Sequence, residues 1–385
     1  MKIPEGMLQK LESMVGSKKI NPHFAKAPGR IEVLGNHTDY NSGLVLSATI
    51  NKYVWALGVE NESVHLYAID FEEDDKFGLM DLNTSNSSQW AMYAMGVYWA
   101  FQRRQHNVRG ITAVIHGDIP KGGGLSSSAA LEVALTNLVL SVSGIKMNPK
   151  AAAMISFEAE RLFCGISCGV MDQFTSQLGK ENSLLRINCR NLLTEDVTMV
   201  HDASFVVVDS MVSRAAGDAL NKRRHECINA LQTLQESGWD IQNLSDIGVE
   251  YLANAKEVLD EKLMNRLSHV VNENDRVRRG VKAIRNKNLL EFGQIMEESH
   301  VSSRDLYEVS HPKLDLLVEL SHKQEGVFGA RLTGAGMGGG VLALVKNDRI
   351  DSFSKSIKTE YENETGLHPD ILHVSIPGGV QVKKL

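Results

Sequence analysis

The sequence predicts an α+β fold in two domains, with mixed but largely antiparallel sheets. Three observations carry this. The chain has 385 residues, more than one ordinary domain holds. Strand-like and helix-like stretches intermingle without the steady βαβ alternation of a parallel fold. Hydrophobic residues make up 43% and charged residues 23%, so a chain of this length can bury a large core without a disulfide or metal staple. A division near residues 190 to 205 is expected, with 1–195 forming the first domain and 196–385 the second.

The elements follow in order. Leu8 to Val15 suits a short amphipathic helix with Leu8, Leu11 and Val15 on one face. Val45 to Glu60, rich in β-branched and aromatic residues, reads as a strand or hairpin. Ile111 to His116 is another strand, running into Pro120 and three glycines, after which Ser126 to Val133 turns helical. Ala151 to Phe163, rich in Ala and Glu, is a helix. Phe205 to Asp209 is a short apolar run of the buried-strand type. In Ala216 to Leu234, Leu220, Cys227, Leu231 and Leu234 keep helical spacing. Val327 to Leu332 and Gly340 to Val345 are two strands around a glycine loop.

Charge and cysteine usage exclude some functions. The net charge is −6, with 41 basic against 47 acidic residues, which argues against a nucleic-acid partner. The basic clusters Arg103-Arg104, Lys222-Arg223-Arg224 and Arg276 to Arg279 read as solvated helix faces. Cys164, Cys168, Cys189 and Cys227 lack zinc-site spacing and read as buried small residues of a reducing compartment. Met1 to Lys19 is charged and mixed, with no signal peptide or membrane span, so a cytoplasmic location and no membrane partner are expected.

Four segments carry candidate chemistry. In Pro120 to Ala130, three glycines allow close backbone approach to a ligand, and Ser126, Ser127 and Ser128 open a helix. Free N–H groups and partial positive charge at that helix end can hold phosphate, and a serine hydroxyl can add a magnesium ligand. No Gly-Lys-Ser/Thr follows, so this is not a Walker loop. A flexible loop with a serine cap fits the local physics equally well. Gly334 to Gly339 matches G-x-G-x-x-G by letter, but a strand-like run follows where a dinucleotide-binding turn would open a helix. In Ala27 to Tyr40, Arg30 follows the turn signal Pro28-Gly29, and Asn36, His37, Thr38 and Asp39 follow Gly35. Such a loop offers a polyhydroxylated ligand many partners, though an exposed polar turn has the same composition. In Gly165 to Phe174, Asp172 is either a partly buried carboxylate in need of a partner or the N-cap of the next helix.

Together these segments resemble the galactokinases, members of the GHMP family of small-molecule kinases. Pro28 to Gly43 resembles their N-terminal signature, Pro120 to Glu132 their phosphate-binding motif, and Gly165 to Gly179 their Gly-x-Met-Asp-Gln segment. Asn221 to Cys227, Ser299-His300 with Arg304 to Ser310, and Gly329 to Gly340 resemble later motifs in the same order. Trp90, Tyr93 and Gly96 fall in register. The resemblance implies a two-domain α+β kinase with its active site in the interdomain cleft. It implies an ATP- and Mg²⁺-dependent sugar-1-kinase, expected to be monomeric, acting on galactose at its anomeric hydroxyl. Gly122, Gly123, Gly124, Leu125, Ser126, Ser127 and Ser128 would cradle the ATP phosphates, with Ser128 or its neighbour Ser127 on the metal. Asp172 would be the catalytic carboxylate with Arg30 beside it. Asn36, His37 and Asp39 would face the other hydroxyls, with Gly169 also in the substrate site.

Phosphoryl transfer is mainly positioning and charge stabilisation, which suits this set. Two departures stand out. The family usually has Glu at the position of Asn36, where it contacts the 6-hydroxyl, and often Asn at that of Glu32, so the two side chains look exchanged. A sugar-contacting Tyr of many relatives is here Leu220, on the apolar stripe of its helix. Met337 in place of a Phe exchanges one apolar filler for another. Loss of a carboxylate at Asn36 would remove repulsion toward an acidic substrate, making a C6-altered sugar such as galacturonate the alternative. A non-catalytic sugar sensor is a further alternative, against which the undamaged Ser126 to Ala130 speaks.

Overall fold

The computed structural model describes residues 3–17, 20–82, 87–120, 123–213 and 216–385. Among them, two sheets organise the chain. The larger holds β1 (His23–Leu34), β2 (Leu44–Asn61), β3 (Val64–Ala68), β4 (Glu73–Phe77), β5 (Gly110–Gly117), β6 (Ser183–Asn188) and β7 (Leu193–Thr198). The smaller holds β8 (Ala203–Asp209), β9 (Val327–Leu332), β10 (Gly340–Lys346) and β11 (Ile371–His373). β12 (Gln381–Lys384) returns from the C-terminus to pair with β1 in the larger sheet. The smaller sheet runs β11-β8-β10-β9, antiparallel throughout. In the larger sheet only β3 and β5 pair in parallel. The α+β class with mostly antiparallel sheets is therefore observed. A division at 195/196 would fall inside β7.

β1 was hidden in the sequence by Pro28 and Gly29, which read as a turn. The strand passes through them with a shift of register between Pro28 and Arg30. The break has a use. A Cβ at Gly29 would lie 2.6 Å from the Leu125 carbonyl oxygen, and the Arg30 N–H donates to that same oxygen at 3.1 Å. The loop before the serine helix thus docks where the ladder opens. Beyond it, Ile31 and Val33 enter the main core, so Arg30 and Glu32 share the other face.

The helix Ser127–Ser143 packs along β1 and β2 and is buried nearly all round, which explains its Ala, Leu and Val content. Leu135, Leu138 and Val139 sit in the main core; a Leu138→Ala cavity would cost about 2–5 kcal/mol. The expected helix over Ala151 to Phe163 begins at Pro149, with Asn148 capping the Lys150 N–H. It widens into a π-turn over Ala159–Phe163, and that bulge carries Glu160. The two strands around the C-terminal glycine loop form the antiparallel β9–β10 pair, and no helix opens after the loop.

Two readings are corrected. Arg223 and Arg276 are not on solvated faces but buried, because the buried carboxylates Glu226 and Glu273 need counter-charges. Of the four cysteines, all free, only Cys227 is buried; the other three are half-exposed. Leu220, on the helix Ala216–Glu236, is half-buried. No helix among the described residues is long and apolar enough to cross a membrane.

Candidate active site

Three segments far apart in sequence meet at Arg30. Its Nε and Nη2 donate to the two oxygens of Asp172, both at 2.7 Å, a bidentate pair. Its Nη1 donates to the Gly124 carbonyl at 2.6 Å. The Ser126 hydroxyl donates to Asp172 Oδ2. Arg30 is buried, while the Asp172 side chain keeps about 25% of its surface open. Asp172 stands in the first turn of Met171–Leu178 with Val170 at the cap position, so the N-cap reading of Asp172 does not hold. Ser126 takes φ 61° and ψ 54°, a conformation non-glycine residues seldom adopt, and such strain concentrates at ligand clamps. Gly123 to Ser128 surround this helix start. Gly122 lies outside the described residues.

The loop after β1 forms the second wall. His37 also has φ near 60°. Its ring stacks on Tyr307, and its Nδ1 meets the Tyr40 hydroxyl at 2.8 Å. Burial, with His269 adding to it, pushes His37 down to about 3, so it is neutral at physiological pH. Asp39 accepts from the Tyr40 N–H at 2.9 Å. A Cβ at Gly169 would collide with the Asp39 carboxylate, which is why only glycine fits there. Burial, then the charges of Asp172 and Glu32, push Asp39 up to about 7. Asn36, expected to face a ligand, is instead engaged by protein. Its Nδ2 donates to Glu32 Oε1 (2.7 Å) and the Gly334 carbonyl (2.9 Å), and its Oδ1 accepts from Ser303 (2.9 Å).

Below Ser128 lies a pair of buried acids that the sequence reading missed. The Ser128 hydroxyl donates to Glu160 Oε1 at 2.8 Å. The Gln173 amide bridges Glu160 (2.5 Å) and Glu132 (3.0 Å). No cation pairs with either carboxylate among the described residues, and Glu132 Oε1 has no partner. Burial pushes the Glu160 carboxyl up, and Asp172 pushes it further. A buried carboxylate beside a hydroxyl, short of positive charge, suits a divalent cation with oxygen preference. No group of three or more His, Cys, Asp or Glu forms a self-sufficient metal cage among the described residues.

Next to Ser127 and Ser128 opens a cleft of about 780 Å³, lined by Phe71, Trp90, Tyr93, Ile119 and Leu131 among others. Its size and apolar walls suit an aromatic ligand group. Trp90 is held by a hydrogen bond from its Nε1 to Glu73 at 3.0 Å.

A second set missed by the sequence reading holds the segment 35–44 from behind. On the helix Glu261–Arg285, Glu273 Oε2 accepts the N–H groups of Gly35 (2.9 Å) and Asn36 (3.0 Å). His269 Nε2 donates to the Asn36 carbonyl at 2.9 Å, and Asn274 Oδ1 accepts the Leu44 N–H at 2.7 Å. Helical spacing of i, i+4 and i+5 was the available signal, but the basic stretch beside it read as surface.

This architecture is that of the GHMP kinases. The models of the GHMP kinases N terminal domain and C terminal match residues 92–180 and 281–363. The galactokinase galactose-binding signature matches residues 9–58. A galactokinase of Roseiflexus sp. (strain RS-1) is 36% identical over 351 residues, 90% of each chain. One of Chloroflexus aurantiacus is 37% identical over 346 residues, 89% of each. The crystal structure of Lactococcus lactis galactokinase complexed with galactose aligns with a TM-score of 0.93 at 30% identity, over 97% of this chain and 98% of that one. A mevalonate kinase at 17% identity and a TM-score of 0.64 shares the fold alone. The chain belongs to the galactokinase family.

Proposed function

We propose that this chain transfers the γ-phosphoryl group of ATP to the anomeric hydroxyl of galactose, giving galactose 1-phosphate and ADP. The observation that carries the reading is the single hydrogen-bonded cluster of Arg30, Asp172, Gly124 and Ser126 at a helix start. The sugar oxygen attacks the γ-phosphorus, the bond to the ADP oxygen breaks, and the hydroxyl proton passes to Asp172. Arg30 orients that carboxylate and sets positive charge beside the transferring group. Gly123 to Ser128 and the helix N-terminus hold the phosphates, and the cleft at Trp90 and Tyr93 takes the base. Ser128 and Glu160 would hold Mg²⁺, which when bound offsets phosphate charge. His37, Asp39 and Gly169 line the sugar's place. With this reading go a cytoplasmic location, a monomeric state and a free sugar as partner.

The test is ADP release by the purified chain with ATP, Mg²⁺ and a panel of galactose, galacturonate, arabinose and N-acetylgalactosamine. Turnover of galactose above the rest is expected, and no ADP with any sugar would end the reading. Ser128→Ala should raise the Mg²⁺ concentration for half-maximal rate about tenfold, on the order of 1.4 kcal/mol; no change would remove Ser128 from the metal.

Asp39 gives a pH dependence. From about pH 4 to 7 the native state holds a proton that the unfolded chain releases, so its contribution to stability falls as pH rises through that window. Hydrogen bonds from sugar hydroxyls are stronger to the ionised form. The KM for sugar is therefore expected to fall as pH rises through about 7, and Asp39→Asn should flatten that step. An equal step in the variant would assign it elsewhere.

A further inference from the structure

Glu32 and Asn36 are both buried and joined by a hydrogen bond, yet they are not equivalent toward a ligand. Both N–H bonds of the Asn36 amide go to protein acceptors, and its oxygen takes the Ser303 hydroxyl. On Glu32, both hydrogen bonds fall on Oε1, from Asn36 (2.7 Å) and from Arg331 Nη2 (3.1 Å). Oε2 has no hydrogen-bond partner among the described residues, and the side chain keeps about 5% of its surface open whereas Arg331 keeps none. A carboxylate can accept about four hydrogen bonds, so half of this one's capacity is unused.

The face on which that side chain stands follows from the strand. The pairing Arg30↔Thr49, Ile31↔Ala48 and Glu32↔Ser47 is regular, so no bulge separates Arg30 from Glu32. With Ile31 and Val33 in the core, both face the site, about 6.6 Å apart along the strand. That span is of the order of a pyranose measured from its anomeric oxygen to the hydroxyls at the opposite end. Arg30 and Asp172 occupy the anomeric position. The charges of Glu32 and Asp172 both reach Asp39.

We infer that Glu32 determines specificity at the end of the sugar remote from the anomeric carbon, accepting a hydroxyl hydrogen bond on Oε2 and repelling a carboxylate there. The inference rests on the reading of the chain as a sugar kinase. It reverses the expectation drawn from Asn36: the site has not lost a carboxylate but carries it on β1, clamped by Arg331. Galacturonate is thereby disfavoured.

The test compares kcat/KM for galactose, 4-deoxygalactose, 6-deoxygalactose and galacturonate in wild type and Glu32→Gln. Wild type should favour galactose over galacturonate by at least about 100-fold. In Glu32→Gln that ratio should fall at least about tenfold, and the penalty for one of the deoxy sugars should shrink with it. A Glu32 that only pairs with Arg331 would slow all four sugars by one factor, and unchanged ratios would overturn the inference. Asn36→Ala should scale all sugars alike; a changed ratio there, with none at Glu32, would also overturn it. Should Glu32→Gln not fold, Glu32→Asp, which withdraws the carboxylate by one methylene, is read by the same ratios. Wild type without turnover of any sugar would sink the kinase reading itself, whereas unchanged ratios in an active enzyme sink this inference alone.

Discussion

Asp172→Asn is expected to lower kcat about 10³-fold, roughly 4 kcal/mol of transition-state stabilisation, while galactose and ATP still bind. The substitution keeps the shape of the side chain and removes its charge and its capacity to take a proton. Arg30 loses its anionic partner but still holds the Gly124 carbonyl, and Leu125 still accepts the Arg30 N–H. The phosphate loop therefore stays docked on β1. Arg30 is buried and loses its anionic partner, but Asp172 is a quarter exposed and Asn keeps an acceptor oxygen, so a stability cost of about 1–3 kcal/mol is expected and the chain stays folded. The defect then belongs to chemistry, not folding. Single-turnover ADP formation and calorimetric titration of galactose separate the two. A kcat within tenfold of wild type would make Asp172 a bystander and return the proton to solvent.

How far the site could be read from sequence depended on where each partner comes from. The phosphate loop was legible because glycines, serines and a helical pattern stand side by side. Asp172 and Arg30 could be named as candidates, but their 2.7 Å pairing joins positions 142 residues apart, which no local spacing encodes. β1 was missed because Pro28-Gly29 has the composition of a turn; only the docked Leu125 carbonyl explains why a strand tolerates it. Glu160 sat inside a helix that looked regular, and the π-turn that presents it has no signature in the hydrophobic pattern. Asn36 was given to the ligand on residue type and neighbourhood. The three groups that occupy it come from Glu32, Gly334 and Ser303, the last two about 300 and 267 positions away. Local chemistry predicted which loops matter; the long-range hydrogen bonds decide which atoms remain free within them.

The same reasoning gives Glu273 an effect that residue type alone would never suggest. It is fully buried, accepts two N–H groups of the sugar loop on Oε2 and pairs with Arg276 Nε at 2.5 Å on Oε1. Burial alone would raise its carboxyl, but Arg276, then His269 and Arg331, hold it well below the ordinary glutamate range. Glu273→Ala leaves a buried guanidinium and two loop N–H groups without acceptors, so a loss of about 3–5 kcal/mol is expected. The loop then keeps His269 on the Asn36 carbonyl and the side-chain bonds of Asn36, but the Gly35 and Asn36 N–H groups lose their acceptor, and the KM for sugar should rise at least about tenfold with a smaller change in kcat. Denaturant unfolding and steady-state kinetics read the two effects separately. The sign of the pH effect follows from the depressed carboxyl. Its stabilisation is present above about pH 4.5 and is lost as pH falls toward its native value. Wild type should therefore lose stability in acid more steeply than Glu273→Ala, because the variant has already lost what protonation removes. Parallel acid profiles, or an unchanged midpoint and KM, would mean that the loop is held by packing and that the carboxylate on the far helix only neutralises Arg276.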